Sequence, residues 1–393
     1  MTQRSPHLER EAAITKWILL VSAHGTRASF QMEGLEHGWW YLVLSAVYSA
    51  ALGGLTGPVI GPLYDRYGPR HLLLVGTVFH VIGLMMTSLS TKYYQIMLAQ
   101  GIASSIGIAC LFAPSTNCVI SWFYRKRAFA IGIAAAGSSL GGVVFPIMIH
   151  HLVKQVGFGW AIRISAFLIL AMLCFGDLTV QARLPPSRKP LKLAHYIKPL
   201  TERTYLLTTM ASCLFYLGMF LPINYIQVQA NSNGMSASLA EYLIPILNGA
   251  SLFGRIIPGW IGDRVGRYNT QIVMSLFSGT IVLALWLPAR GNTPLVIFAI
   301  LYGFGSGTFV TLLPAMIAQI SDIEEIGLRV GLEYATISIA ALVSNPIGGT
   351  LIGRDHGGFR DLQIYCGIMT LGASVMFALA RISLAGLRVQ AKA

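Results

Sequence analysis

Most of the side chains in this sequence that could do chemistry stand inside apolar runs. Arg255 lies four residues before Gly259. A guanidinium in such a run could hold a carboxylate bidentately, or it could join the nearby Asp263/Arg264 loop as a gating partner. Glu333 follows Arg329 by four residues, which allows either a proton carrier or a simple i, i+4 ion pair. His80 offers a second proton carrier or a packed neutral ring. Asn224, Tyr225, Gln227 and Gln229 follow Pro222, while Asn117, Asn248 and Asn345 sit singly in other apolar runs. Such groups can orient a polar solute, or equally cross-link helices within a bundle. There is no GxxxxGK[ST] phosphate loop, no zinc-like Cys/His spacing and no GxSxG elbow, so neither cofactor nor enzyme chemistry is expected.

The composition says what must position these residues. Of 393 residues, 54 % are hydrophobic and only 11 % are charged, against roughly a quarter charged in soluble domains. With a mean hydropathy of +0.64, the solvent is lipid. Eleven stretches have the length of a bilayer-crossing helix: 39–62, 71–90, 93–120, 128–153, 159–181, 205–229, 236–261, 269–289, 293–320, 330–352 and 359–380. The net charge of +13 is then a matter of sides, not a nucleic-acid footprint. Alternate connectors and the C-terminal tail hold 17 Lys and Arg residues, against five in the opposite set. By the positive-inside rule, the first set and the C-terminus face the cytoplasm. The five cysteines all lie in apolar stretches, which argues against a disulfide framework.

The chain also repeats itself. Gly61-Pro-Leu-Tyr-Asp65-Arg66-Tyr-Gly68-Pro-Arg70 returns as Gly259-Trp-Ile-Gly-Asp263-Arg264-Val-Gly266-Arg267, 198 residues on. Gly107 and Pro114 return as Gly307 and Pro314, and Gly132 and Pro146 as Gly331 and Pro346. Two homologous halves, with a solute site between them, are one recognised transporter plan. Gly57 and Gly61, one turn apart, signal helix contact inside this assembly.

The paired GxxxDRxG loops resemble those of the major facilitator superfamily, where they latch the cytoplasmic side as the halves rock. The stretch Trp122–Gly137 is similar to a motif of the monocarboxylate-porter family. Phe253–Gly259, Ala318–Ser321, Ile326–Gly331 and Asn345–Gly349 resemble its fungal branch. The resemblance implies an all-α membrane protein with the major facilitator fold: two pseudo-symmetric bundles, with eleven clear transmembrane helices where twelve are expected. It also implies that Arg255 is the family's carboxylate-binding arginine. The Asp that the family places one turn earlier is Ser251 here, which puts proton coupling in doubt.

The repeat places a first helix at residues 8–28, yet that stretch carries Glu9, Arg10, Glu11, Lys16, His24 and Arg27. Charges at a helix centre cost roughly 2.5–3.5 kcal/mol each on insertion scales. Either the chain has eleven spans, or its first residues do not belong to the native start. The expected organisation is a polar segment over 1–36, an N-terminal bundle over 37–182 and a cytoplasmic linker over 183–203. A C-terminal bundle over 204–381 and a tail over 382–393 follow. The expected function is secondary active transport of a small organic solute, either a carboxylate or an exported secondary metabolite, by alternating access. A non-transporting sensor or defective relative is the alternative. The expected partners are the lipid bilayer, the solute and protons, with no nucleic acid and no obligate protein partner. The family default is the plasma membrane.

Overall fold

The computed structural model describes residues 53–183, 193–386 and 392, and among them every regular element is helical. In hydrocarbon each backbone N–H and C=O must be satisfied within its own segment, which a helix alone of the open elements achieves. The polar segment 1–36, residues 39–52 of the span 39–62, residues 184–192 of the linker, and residues 387–391 and 393 of the tail lie outside the described residues.

Helix α1 (Gly57–Tyr67) turns at Gly68 into α2 (Pro69–Leu89). A π-helical stretch, Met97–Ser104, leads into α3 (Ser105–Trp122). Helix α4 (Arg127–Thr179) runs for 53 residues but breaks at Gly157, φ 77°, between the stretches 128–153 and 159–181 that the sequence separates. The short α5 (Leu193–Thr201) lies in the connector. The second half holds α6 (Arg203–Ser232), α7 (Ala237–Val265) and α8 (Arg267–Ile281), the last continuing through a π turn to Trp286. It ends with α9 (Asn292–Gln319), α10 (Ile326–Arg354) and α11 (Arg360–Ala385). Gly68 and Gly266, at φ 77° and 120°, occupy the same place in the α1–α2 and α7–α8 hairpins, a left-handed conformation that glycine adopts without strain.

Eight described helices are long and apolar enough to cross a membrane, the double-length α4 among them. Helix α7 falls short because Asn248, Arg255 and two prolines dilute its 29 residues. It packs all the same, against α9 in its own half and against α4 in the other. Helix α6 packs on α11, α2 on α3 and α4, and α10 reaches across to α1. The second half encloses the larger core, including stacked rings of Trp286, Phe298 and Tyr302 with centroids 5.0 and 5.1 Å apart. Leu74, Val78, Phe79 and Ile82 of α2, and Phe167, Met172 and Phe175 of α4, point outward, the surface a lipid-facing helix presents.

Candidate functional site

Two seams join the halves at the cation-rich end, and each is closed by an aspartate. Asp263, in the α7–α8 turn, accepts hydrogen bonds from the backbone N–H groups of Ala128 and Phe129 at 3.1 and 2.9 Å. These are the first turn of α4. Asp65 accepts from the N–H of Leu328 at 3.1 Å, in the first turn of α10. Each carboxylate therefore caps a helix N-terminus in the opposite half, where free N–H groups and the helix dipole favour an anion. The acceptors are 198 residues apart and the donors Phe129 and Leu328 are 199 apart, so the repeat extends to individual hydrogen bonds.

Glycine makes the seams close. A Cβ on Gly61 would meet the Gly327 carbonyl oxygen at 2.1 Å, and one on Gly57 the Gly331 oxygen at 2.4 Å. At the second seam Gly259 faces Ala128 and Gly132 faces the Arg255 backbone. By the 198-residue offset Arg255 stands where the first seam has Gly57. The arginine is thus the point at which two otherwise matching seams differ.

The half-buried Arg255 crosses this seam. Its Nη1 donates to the Ala135 carbonyl at 2.5 Å and to the Ser138 hydroxyl, both on α4. Its Nε is buried without a partner, as is the hydroxyl of Thr311, which touches the same glycines, 132 and 259. No hydrogen bond joins Arg255 to Asp263 or Arg264. Asp263 instead binds Arg267 at 3.1 Å, and Arg264 stacks on Trp260 at 3.6 Å. Among the described residues neither Arg66 nor Arg70 bridges the halves: Arg66 lies over its neighbour Tyr67.

The amides divide. Asn224 donates to Asn345 at 2.8 Å, and the Tyr225 hydroxyl reaches the Asn345 carbonyl at 3.4 Å. These three cross-link α6 and α10. Asn248 donates to Ile244 within its own helix and faces Gly142 across the seam. Asn117 is buried with both amide atoms unpartnered, a defect that costs about 1–3 kcal/mol when nothing fills it. His80 shares a 2.8 Å hydrogen bond with Ser104, as a packed ring does.

The expected i, i+4 pair between Arg329 and Glu333 does not form. Arg329 holds Glu202 bidentately at 2.6 and 2.7 Å and touches Glu325 at 3.4 Å. Glu333 points instead into α6, accepting from Thr209 at 2.5 Å. Sequence reasoning missed Glu202, although it stands just before α6 in a connector rich in cations. It also missed the cross-seam role of Arg127, whose Nη1 donates to the Ala318 carbonyl of α9 at 2.9 Å.

Two helical halves, matched by an internal repeat and joined across glycine seams at one end, are the plan of a membrane transport protein built from parallel repeats. The chain belongs to the Major Facilitator Superfamily: the model of that family matches residues 12–294 and 208–386. It is 59 % identical to MFS-type transporter 1 of an Ophiocordyceps species, over 84 % of this chain and 74 % of that one. It is 41 % identical to the fujikurins efflux protein of Gibberella fujikuroi, over 81 % and 69 % of the two chains. Against the aspyridones efflux protein of Emericella nidulans it is 39 % identical, over 84 % and 67 %. The fold matches that of the transporter FucP in its outward conformation, with a TM-score of 0.70 at 12 % identity, over 95 % of each chain. The protein is a multi-pass membrane protein of a transporter family and not an enzyme.

Proposed function

We propose that this protein is a secondary active exporter that moves a fungal secondary metabolite by alternating access. Its relatives named for the efflux of fujikurins and aspyridones support the direction and the solute class. The observation that carries the mechanism is the pair of repeat-related latches, Asp65 on α10 and Asp263 on α4. Together they close one end of the molecule, and opening that end requires both to break. The two bundles are residues 37–182 and 204–381, joined by the linker 183–203. The latched end is the cytoplasmic one, with the C-terminus on that side and the plasma membrane as the site of export.

Arg255 is the solute contact. In the closed end its guanidinium is held by α4, with Nε unsatisfied. When the seam parts, the fork is released toward an acidic group on the solute, which fits an anion and the porter-like character of the sequence. Thr311, beside the same seam glycines, adds a second unpartnered polar atom, and the Asn117 amide on α3 carries two more.

Everted membrane vesicles from yeast expressing the full chain test this. They are incubated with fujikurins, aspyridones or agnestins, the last named for a further efflux relative, and uptake is followed by mass spectrometry. Accumulation above empty vesicles is expected for at least one compound, and Arg255→Ala is expected to lower it tenfold or more. Wild-type vesicles that accumulate none of them would reject the exporter reading.

A further inference from the structure

Glu333 is 1 % exposed and stands about 10 Å inside the latched end, seven residues into α10. One carboxyl oxygen accepts from Thr209, itself 4 % exposed, and the other, Oε1, has no partner. Helix α5 packs on α10 and carries His195 and Lys198, the latter beside Glu202. Helix α6 presents the Tyr205 and Cys213 side chains, and α8 presents Tyr268. On α10 itself stand Tyr334 and Arg329, the latter committed to Glu202 and Glu325. From α1 comes Asp65, bonded to Leu328. From α11 comes Arg381, bonded to Asn269 and to the Gly386 carbonyl. Helices α3 and α9 carry no charged side chain at all. Among the described residues, then, no cation pairs with Glu333.

An ionised carboxylate in such a place would be a bare charge in a low-dielectric bundle, which is far costlier than a neutral acid. We infer that Glu333 is a proton-binding site lying inside the C-terminal bundle, behind the seam and apart from Arg255. The orphan oxygen Oε1 is where the proton sits, while Thr209 donates to Oε2. On unloading, the O–H bond at Oε1 breaks and the proton passes to water at the latched end. Reloading reverses the step, and no electron is transferred. The short way out passes Tyr205, whose hydroxyl donates to the Arg329 carbonyl at 2.8 Å, and then the Arg329–Glu202 pair. The site deepens the exporter reading by naming protons as the coupled ion. It depends on that reading only for what the protons drive.

The test contains no solute, so it fails or succeeds independently of metabolite export. The purified full chain in liposomes is titrated from about pH 5 to about pH 10 and followed by the infrared C=O stretch of neutral carboxylic acids. Wild type is expected to show a band that disappears on alkalinisation, absent in Glu333→Gln and retained in Glu241→Gln at the other end of the bundle. Glu333→Asp, which restores a titratable acid, is expected to bring a shifted band back and keeps the test valid if the glutamine variant folds poorly. A wild-type band that does not titrate, or one that titrates identically in Glu333→Gln, would overturn the assignment.

Discussion

At the scale of single residues, charges in this molecule are placed by what they can pair with. Arg329 has two carboxylates within reach, Glu325 one turn before it and Glu202 from 127 residues earlier in the chain, and takes both. The spacing to Glu333 gave no such information, because a helical i, i+4 relation permits a pair without requiring one. The Arg329 guanidinium holds the half-exposed Glu202 carboxyl below its ordinary range. A depressed carboxylate adds stability above its unfolded value, and that stability is lost as pH falls through the folded one. Wild type is therefore expected to lose thermal stability on acidification below about pH 4.5 more steeply than Glu202→Gln. At neutral pH the variant is expected to be the less stable of the two. Melting in detergent across the acid range checks this, and parallel curves for the two proteins would contradict it.

Helices show what was legible in the sequence and what was not. The all-helical plan and the two hairpins follow from apolar length, glycine and the repeat, all local or periodic signals, and the break at Gly157 falls between two stretches read as separate. The Asp65 and Asp263 latches were legible as motifs, but their partners in the opposite half were not. Nor was the bond between Asn224 and Asn345, which closes over 121 residues. Polar contacts of that range depend on how helices rotate about their axes, and periodicity fixes the rotation only loosely in a chain apolar on most faces. The close crossings do make an element-level prediction. A Cβ on Gly61 or on Gly254 would meet a carbonyl oxygen at 2.1 Å, Gly327 in one case and Phe304 in the other. Gly254 packs α7 on α9 within one half, so Gly254→Ala is expected to destabilise the fold by about 1–3 kcal/mol. The Gly61 contact joins α1 to α10 across the halves. Gly61→Ala should therefore keep most of the thermal stability and shift the molecule toward a parted seam. Equal losses of melting temperature in the two variants would show that the α1–α10 crossing is as permanent as the α7–α9 one.

For the whole molecule, the question is whether the seams open together. If each half moves as a rigid body, weakening one latch must part both seams. If each seam is an independent gate, only the weakened one responds. The repeat supplies matched reporters: Ser139, 3.4 Å from Ser251 across the α4–α7 seam, and Ser338, which lies against Gly54 beside α1. Both are buried and they are 199 residues apart. With the five free cysteines replaced by alanine, Ser139→Cys and Ser338→Cys are labelled separately by a membrane-impermeant maleimide added at the latched end. Asp263→Asn removes a charge-assisted contact worth about 1.5–3 kcal/mol, enough to raise the opened fraction about tenfold or more while it is small. Rigid-body rocking predicts that this substitution speeds labelling at both positions by the same factor, although only Ser139 lies on the seam Asp263 closes. Asp65→Asn should do the same from the other side. Acceleration confined to the reporter on the mutated seam would mean two separate gates, and the pseudo-symmetry of the latches would then be inherited form without a shared motion.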